Sequence, residues 1–288
     1  MQILASGLAL GCVYGLIALG FVLIYKATEV VNFAQGELMM LGAFVAYTLI
    51  GPLQWPFLAG AATAVAVTAL LGATLQRAVL RPIEGEPTIA VVMVTLAIGM
   101  IARGIASMLP GWGTDTHRLP MPHQGQLVDF LGMRWSMEHV TIVGATVTLC
   151  VALYWFFRAA RIGLAMRAMS QNQLAAYYVG IPVSRINALV WALSAAIAAV
   201  AGILVAPITF VHVNMGHIGI MAFPAAVIGG FGSIPGAVAG GLILGVTEAM
   251  AGLHLPEGFK DIAPHALVLL VLLLKPSGLF GEQLRKKV

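Results

Sequence analysis

Long apolar stretches with almost no charged side chains constrain this chain more than any other feature of its sequence. A helix needs about 20 apolar residues to cross the hydrocarbon core of a bilayer, which is about 30 Å thick. Only 9% of the residues are charged, whereas a soluble domain carries about 25%. The sequence therefore predicts an all-α integral membrane protein that forms one domain over residues 1–288. The clear stretches are residues 3–25, 56–75, 88–108, 140–157, 188–210 and, more weakly, 262–274.

Two further apolar regions, 30–53 and 220–253, are interrupted by polar residues or glycines and bring the bundle to about eight hydrophobic segments. Region 220–253 is too short for two full helical crossings and a turn, so we expect a re-entrant hairpin with its turn at 229–236. Transporters commonly build their substrate route from such irregular backbone, which needs burial in protein or contact with water. Region 30–53 becomes helical near Leu38, and its number of crossings stays open. The two interrupted regions hint at an internal duplication.

Basic residues predict which loops face the cytoplasm. They concentrate after the second apolar stretch, within residues 158–187 and at the end of the chain, whereas the Pro-, Gly- and His-rich loop 110–139 has few. We therefore assign 158–187 to the cytoplasm and 110–139 to the outside. Lys26 favours a cytoplasmic start for the first interrupted region and hence an external N-terminus. The basic residues assigned to the cytoplasm are Arg77, Arg81, Arg158, Arg161, Arg167, Arg185, Lys275, Arg285, Lys286 and Lys287.

Glycines four residues apart occur in the first apolar stretch and again in the second interrupted region. Small residues at this spacing let helix backbones approach closely in lipid, where van der Waals contact drives association. We expect them to pack helices together, with a moving helix contact as the alternative. They are Gly7, Gly11, Gly15, Gly236 and Gly240, and Gly241 and Gly245 repeat the spacing.

Polar side chains at membrane depth are candidates for a translocation pathway. Asn32, Gln35 and Glu37 lie at the start of the first interrupted region. An amide or carboxylate there is costly unless it faces a cavity or a partner, and the alternative is that these residues cap the following helix at the interface. Glu248 and Arg103 lie nearer the outer ends of their segments, where snorkelling is favoured and a mutual salt bridge stays open. The pathway candidates are Asn32, Gln35, Gly36, Glu37, Gly230, Gly232, Ser233 and Glu248.

The segment 158–187 is too long for a minimal turn and too polar to span the membrane. It predicts one short helix beginning near Arg167, with Gly180 as a left-handed cap, a stop at Pro182, and Ser184 as the cap of the next helix. An amphipathic helix on the cytoplasmic face suits docking into a groove of a soluble partner. The alternative is a loop helix that lies on the headgroups. The coupling candidates are Arg167, Ala168, Asn172, Ala175, Ala176, Gly180 and Ile181.

Several chemistries lack their sequence signatures. Cys12 and Cys150 lie in apolar stretches, and the seven histidines show no metal-ligand spacing. No Walker loop, G-x-S-x-G or His-Glu-x-x-His motif occurs. The net charge of +4 arises from short loops and the tail, which argues against a nucleic-acid surface. We therefore expect no enzyme activity, no cofactor and no metal site.

An ordered set of motifs resembles the permeases of branched-chain amino-acid ABC transporters. Each motif is weak alone, but their order is specific and the likeness covers nearly the whole chain. The motifs are residues 11–25 running into Val-Asn-Phe-Ala-Gln-Gly-Glu at 31–37, Met-Met-Leu-Gly-Ala at 39–43, the stretch 167–181, residues 225–244 with a Gly-Ser-Ile-Pro-Gly core, and Lys-Pro-Ser-Gly-Leu-Phe-Gly at 275–281.

The resemblance implies the multi-pass permease subunit of a binding-protein-dependent ABC importer in a bacterial inner membrane. A periplasmic or extracellular solute-binding protein would deliver solute, and a second permease, expected to be a paralogue, would complete the pathway. Two cytoplasmic ABC ATPases would drive transport by gripping residues 168–180. Members of the family carry branched-chain amino acids or similar small solutes, including urea, short amides and aromatic acids.

Two other classes compete with this interpretation. A stand-alone secondary transporter or channel for a small polar solute would need carboxylates or histidines along its spans, or a ring of carbonyls or charges. The mid-span positions are nearly free of such groups, and the Gly-rich turn is the one candidate for a carbonyl ring. A membrane-embedded enzyme would need a nucleophile and a base, which the sequence does not offer.

Overall fold

The described part of the chain, which in this computed structural model is residues 2–122, 125–130, 133–256 and 259–281, contains eleven α-helices and one small β-hairpin. It also contains a π-helical segment (Gln76–Leu80) and two short 3₁₀ segments (Arg81–Ile83 and Val213–Gly216). The antiparallel strands β1 (Leu127–Phe130) and β2 (Met133–Ser136) lie between the fourth and fifth helices. The helices are α1 (Gln2–Thr28), α2 (Gln35–Ile50), α3 (Phe57–Leu75), α4 (Thr88–Met108), α5 (Met137–Ala159), α6 (Arg161–Gln171), α7 (Gln173–Tyr178), α8 (Val183–Thr209), α9 (His217–Gly229), α10 (Ile234–His254) and α11 (Phe259–Leu274).

Six of these helices are long and apolar enough to cross a membrane: α1, α3, α4, α5, α8 and α10. Three shorter apolar helices, α2, α9 and α11, accompany them. The expected all-α membrane bundle is confirmed, and the stretch predicted at 88–108 coincides with α4. The tail residues 285–287, assigned to the cytoplasm from their charge, lie outside the described residues.

The two longest helices, α1 and α8, form the centre of the bundle. The most apolar window of α1 is 89% buried and that of α8 is 72% buried, against 17% for α4 and α5. A helix that is apolar on every side belongs inside a large bundle or in lipid. The outer helices consequently expose large apolar side chains such as Leu58, Met100 and Trp155.

Glycines bring α1 and α10 into backbone contact. A Cβ on Gly7 would lie 2.6 Å from the Cβ of Ala249, and one on Gly11 would lie 2.9 Å from the carbonyl oxygen of Gly241. Gly15 follows against Val238, so the two helices run antiparallel. The other glycine pair of α10, Gly236 and Gly240, faces α9 instead and packs on Gly229 and Ala225.

The two halves of the chain share an inverted arrangement. Each long central helix is followed by an irregular segment and a short helix: α1 by residues 29–34 and α2, and α8 by residues 210–216 and α9. The next helix of each half then packs antiparallel on the central helix of the other half, α10 on α1 and α3 on α8. Gly36 in α2 and Gly219 in α9 meet where the halves join. This geometry is that of an inverted repeat, which many transporters use.

The hairpin predicted in region 220–253 has its turn where expected but not at the expected depth. The turn spans residues 230–233 and lies beside Tyr25, whose ring centroid is 4.9 Å from that of Phe231. It therefore lies at the end of the bundle where α1 ends, and α10 is long enough to cross fully. Helical rise over residues 220–253 underestimated the reach of this region, because the chain enters the bundle through residues 210–216, of which 210–212 are non-helical and Val213–Gly216 form a 3₁₀ turn. Extended chain covers about 3.3 Å per residue and a 3₁₀ helix about 2.0 Å, against about 1.5 Å for an α-helix.

Helix α2 begins at Gln35, three residues before the predicted start at Leu38. Gln35, Gly36 and Glu37 consequently form its first turn. No side chain caps α2 by a hydrogen bond to its free amides. Asn32 instead accepts a hydrogen bond from the backbone amide of Ala34 (3.1 Å), which stabilises the turn that precedes the helix.

The segment 158–187 forms two helices, α6 and α7, where one was expected. The chain breaks at Asn172, whose extended backbone precedes α7 and whose side-chain oxygen accepts from the amide of Ala175 (2.9 Å). Gly180 has the left-handed φ of +87° that the prediction required. Ser184 does not cap α8: the cap position is Pro182, which makes no side-chain cap bond, because α8 already begins at Val183.

Candidate functional site

A fully buried polar cluster joins α1, α2 and α8. The Nε2 of Gln35 donates to the backbone carbonyl of Ser194 (3.2 Å), and the Oε1 of Gln35 lies 2.9 Å from the Ser194 hydroxyl. That hydroxyl also lies 3.0 Å from the carbonyl oxygen of Gly20, so its single hydrogen serves two acceptors. Asn32 donates to Gln35 over a longer 3.4 Å. Buried polar groups persist when they are mutually satisfied in this way.

Gly20 supplies the space that this cluster occupies. A Cβ at Gly20 would overlap the side-chain amide of Gln35 and lie 3.0 Å from the Ser194 hydroxyl. The irregular residues before α2 therefore approach α1 closely enough for the Gln35 side chain to reach α8. Burial in protein is one of the two conditions under which irregular backbone is tolerated at membrane depth.

An ion pair lies two residues further along α2, at Glu37. Arg103 on α4 donates to the Oε1 of Glu37 at 2.8 Å. The Glu37 side chain is 8% exposed, and that of Arg103 is 38% exposed. Gly99 and Gly216 line the pair, since a Cβ at either would lie 3.1 Å from a Glu37 carboxylate oxygen. The pair therefore joins the first turn of α2 to the exposed side of α4.

Glu248 belongs to a separate cluster on α10. It accepts from the hydroxyl of Tyr14 at 2.7 Å and pairs with Lys260 at 3.3 Å. The salt bridge between Glu248 and Arg103 that the sequence left open does not form, because each of the two has another ionic partner. Glu248 is only 7% exposed, so it is held by neighbours and does not snorkel to the surface.

The glycine-rich turn stands apart from both polar clusters. Gly230 has φ +93° and packs against Gly278 and Gly281 near the end of the described chain. Ser233 accepts from the amide of Gly236 (3.1 Å) and so caps α10. Of the eight pathway candidates, the structure thus groups Asn32, Gln35, Gly36 and Glu37, and it places Gly230, Gly232, Ser233 and Glu248 elsewhere.

Helix α7 presents an exposed apolar surface on the segment 158–187. Among the coupling candidates, Asn172, Ala175 and Gly180 are exposed, whereas Ala176 is buried and anchors the helix. Arg167 is exposed and donates to the backbone carbonyl of Phe157 (3.1 Å). The large exposed side chains on and beside α7 were not among the candidates. They are Leu174 (64%), Tyr177 (65%), Tyr178 (77%) and Val179 (77%), and we call them the α7 patch.

Sequence reasoning also missed Ser194, Tyr14 and Lys260. Ser194 lies 159 residues from its partner Gln35, and Tyr14 lies 234 residues from Glu248. A hydroxyl inside an apolar stretch was the only available signal. No group of three or more His, Cys, Asp or Glu side chains that could hold a metal ion occurs in the described part of the chain.

The fold of the bundle is similar to one that is known from solved structures. Its similarity to a chain in the structure of PsaBC from Streptococcus pneumoniae in complex with Fab has a TM-score of 0.51 and covers 96% of this chain and 93% of the other. The sequence identity is 15%, so the likeness concerns the fold. The fold and its apolar helices define the chain as a multi-pass α-helical membrane protein.

The family follows from sequence comparison. Residues 3–274 match the family described as branched-chain amino acid transport system / permease component, and the chain belongs to it. It is 32% identical to the high-affinity branched-chain amino acid transport system permease protein LivH of Escherichia coli K12, over 100% of this chain and 97% of LivH. It is 33% identical to the corresponding BraD of Pseudomonas aeruginosa, over 100% and 98%. A probable LivH of Methanocaldococcus jannaschii is 30% identical, over 94% and 89%. The resemblance found in the motifs is confirmed.

Proposed function

We propose that this chain is the membrane-spanning subunit of a binding-protein-dependent ABC importer for branched-chain amino acids or similar small solutes. It works in a prokaryotic inner membrane with a second permease, two cytoplasmic ABC ATPases and an external solute-binding protein. The observation that carries the proposal is the family match over residues 3–274, together with relatives at 30–33% identity that are named as branched-chain amino acid permeases.

In this proposal the first turn of α2 forms the wall of the pathway. Glu37 and Arg103 offer one negative and one positive group, which complement the ammonium and carboxylate of an amino acid. Arg103 is the exposed member of the pair and lies towards the outer surface of α4, where a second permease would complete the pathway. The Gln35–Ser194 cluster lies behind the pair and holds the irregular entry to α2 in place.

The α7 patch is the proposed contact with the ATPase. Four large apolar side chains on a short helix supply the buried anchor that a protein interface needs. Gly180 ends α7 in a left-handed turn, the amide of Ile181 donates to the carbonyl of Ala176 at 3.0 Å, and α8 begins at Val183, so the connection between the two helices is short. Movement of α7 would therefore reach α8 and, through Ser194, the polar cluster at α2.

Reconstitution tests this function. The chain alone in proteoliposomes should not accumulate labelled leucine, and uptake should appear when the second permease, the ATPases, the binding protein and ATP are all supplied. Omitting the binding protein or replacing ATP with a non-hydrolysable analogue should abolish uptake. Uptake by the chain alone that collapses with a proton ionophore would identify a secondary carrier and reject the proposal.

A further inference from the structure

A cavity of about 820 Å³ lies between α1, α5, α6 and the beginning of α10. Leu19, Leu23, Leu153 and Val238 line its inner part. None of the residues of the Gln35–Ser194 cluster or the Glu37–Arg103 pair lines it, so the cavity is separate from the proposed pathway. We call it the α1–α5 groove.

The inner part of the groove is lined by apolar side chains, and one end of it is lined by basic side chains. Leu19 and Lys26 both line it and stand two helical turns apart on α1, which is about 10 Å. Cys150 and Arg158 also both line the groove, and they stand about two helical turns apart on α5. The cations lie at the end that the charge distribution assigns to the cytoplasm, where the hydrocarbon core meets the headgroups.

The basic end is lined by cations without an acidic side chain among them. In the described part of the chain its three cations are Lys26, Arg158 and Arg167, and none of the residues that line the groove is acidic. Arg158 donates to the hydroxyl of Tyr154 at 2.7 Å, and Arg167 donates to the carbonyls of Phe157 and Gly163, so both are held in place by neutral groups. Lys26 is half-buried and has no hydrogen-bonded or ionic partner among the described residues. A half-buried, unpaired lysine beside two arginines is a site for an anion.

We propose that the α1–α5 groove binds an anionic phospholipid, with an acyl chain along the leucines and the phosphate at the three cations. Basic pockets between membrane helices at the cytoplasmic side suit anionic headgroups. Exposed apolar residues of α5, such as Val147, Val151 and Trp155, make the rim continuous with surrounding lipid. The chain's own end is a poor occupant, because residues 285–287 are basic in sequence and the groove carries the same charge.

Native mass spectrometry of the full chain tests the charge preference. The purified protein is titrated with phosphatidylglycerol and, separately, with phosphatidylcholine of the same acyl chains. Wild type should retain phosphatidylglycerol preferentially. Replacing Lys26→Gln should weaken that preference about fivefold, and adding Arg158→Gln should bring the loss to about 25-fold, since each cation near a lipid phosphate contributes a comparable factor. Arg81→Gln removes an exposed cation outside the groove and should leave the preference unchanged.

The native cysteines provide a second readout that needs no variant. Cys150 lines the groove, whereas Cys12 is 4% exposed and does not. In nanodiscs, phosphatidylglycerol should slow maleimide labelling of Cys150 at least fivefold relative to phosphatidylcholine and leave Cys12 unaffected. Equal retention of the two lipids, or an equal effect of Arg81→Gln, overturns the proposal. Protection of Cys150 by a co-purified second permease, regardless of lipid charge, would show that the groove is a protein interface. If the double variant does not fold, Lys26→Gln and the labelling of the wild type decide.

Discussion

The side chain of Gln35 on α2 contacts Ser194 on α8 twice. Its Nε2 donates to the backbone carbonyl of Ser194 at 3.2 Å, and its Oε1 lies 2.9 Å from the Ser194 hydroxyl. Both residues are fully buried. This reciprocal contact ties the irregular entry to α2 to the helix that follows the proposed coupling segment.

Replacing Ser194→Ala should destabilise the bundle by about 1–3 kcal/mol, because the Oε1 of Gln35 then loses its closer donor and keeps only the longer bond from Asn32. The bond from the Nε2 of Gln35 to the backbone carbonyl of residue 194 is retained. Thermal unfolding in detergent, followed by size-exclusion recovery, would measure the loss. Thr148→Ala is the matched control, since that hydroxyl is exposed and bonds only within α5. Equal losses in the two variants would contradict a special role for Ser194.

The Glu37–Arg103 pair makes a second prediction. Replacing Glu37→Gln or Arg103→Gln should each lower leucine uptake in the reconstituted system, because each change leaves its partner without a counter-ion. The stability cost should stay near 1–2 kcal/mol, below the 3–5 typical of a fully buried pair, since Arg103 is 38% exposed. The double variant should unfold at a higher temperature than additivity of the single changes predicts.

The transport data separate the pathway role from a packing role. If Glu37 and Arg103 contact the solute, the KM for leucine should rise at least tenfold in both single variants while ATPase association is retained. If the pair only supports packing, both variants should yield less folded protein and leave the KM unchanged. The second pattern would remove Glu37 and Arg103 from the pathway.

Close packing of α1 on α10 leads to a third prediction. Gly11→Val should lower the free energy of unfolding by about 1–3 kcal/mol or prevent folding, since a Cβ alone at this position would lie 2.9 Å from backbone atoms of α10. Gly144→Val on α5 places the same side chain where nothing lies within 4 Å of the Cβ, and it should be tolerated. The yield and melting temperature of the two variants provide the comparison. Equal behaviour would show that the α1–α10 contact is looser than described.

The helices were predictable because the bilayer imposes a simple rule on charge and length. Residues 88–108 match α4 to the residue, and Gly180 adopts the left-handed conformation that its position before Pro182 indicated. The interrupted regions were found for the same reason, since polar residues and glycines break an apolar stretch. The depth of the turn at 230–233 was harder to predict, because the chain between α8 and α9 combines non-helical residues with the 3₁₀ turn Val213–Gly216, and both rise further per residue than the α-helix that was assumed.

Partners across the bundle could not be inferred from local patterns. Glu37 was a candidate, but Arg103 became its partner only once α4 was placed beside α2, 66 residues later. Glu248 has Lys260 close in sequence, yet the two lie on different helices, α10 and α11, and the pairing depends on how the connection between those helices folds. The α7 patch was not predicted because the exposure of Leu174 and Tyr178 depends on how α7 packs on the bundle, which the pattern of residues 167–181 does not reveal.

The α7 patch carries the last prediction. Replacing Leu174→Ser together with Tyr178→Ser should weaken association with the ATPase subunits at least tenfold, because both side chains are largely exposed and suited to act as buried anchors at the interface. Co-purification and stimulated ATP hydrolysis would measure the effect. Folding should be unaffected, since neither side chain supports the bundle.

Met108→Ser is the matched control for this change. Met108 is an equally apolar side chain, 85% exposed, but it lies at the end of α4 predicted to face outside. ATPase association should survive in that variant. A cysteine introduced at Leu174 should react with a membrane-impermeant maleimide only after the cytoplasmic face is opened. Reaction from outside intact cells would place α7 beyond the reach of any ATPase and would reject both the orientation and the coupling role.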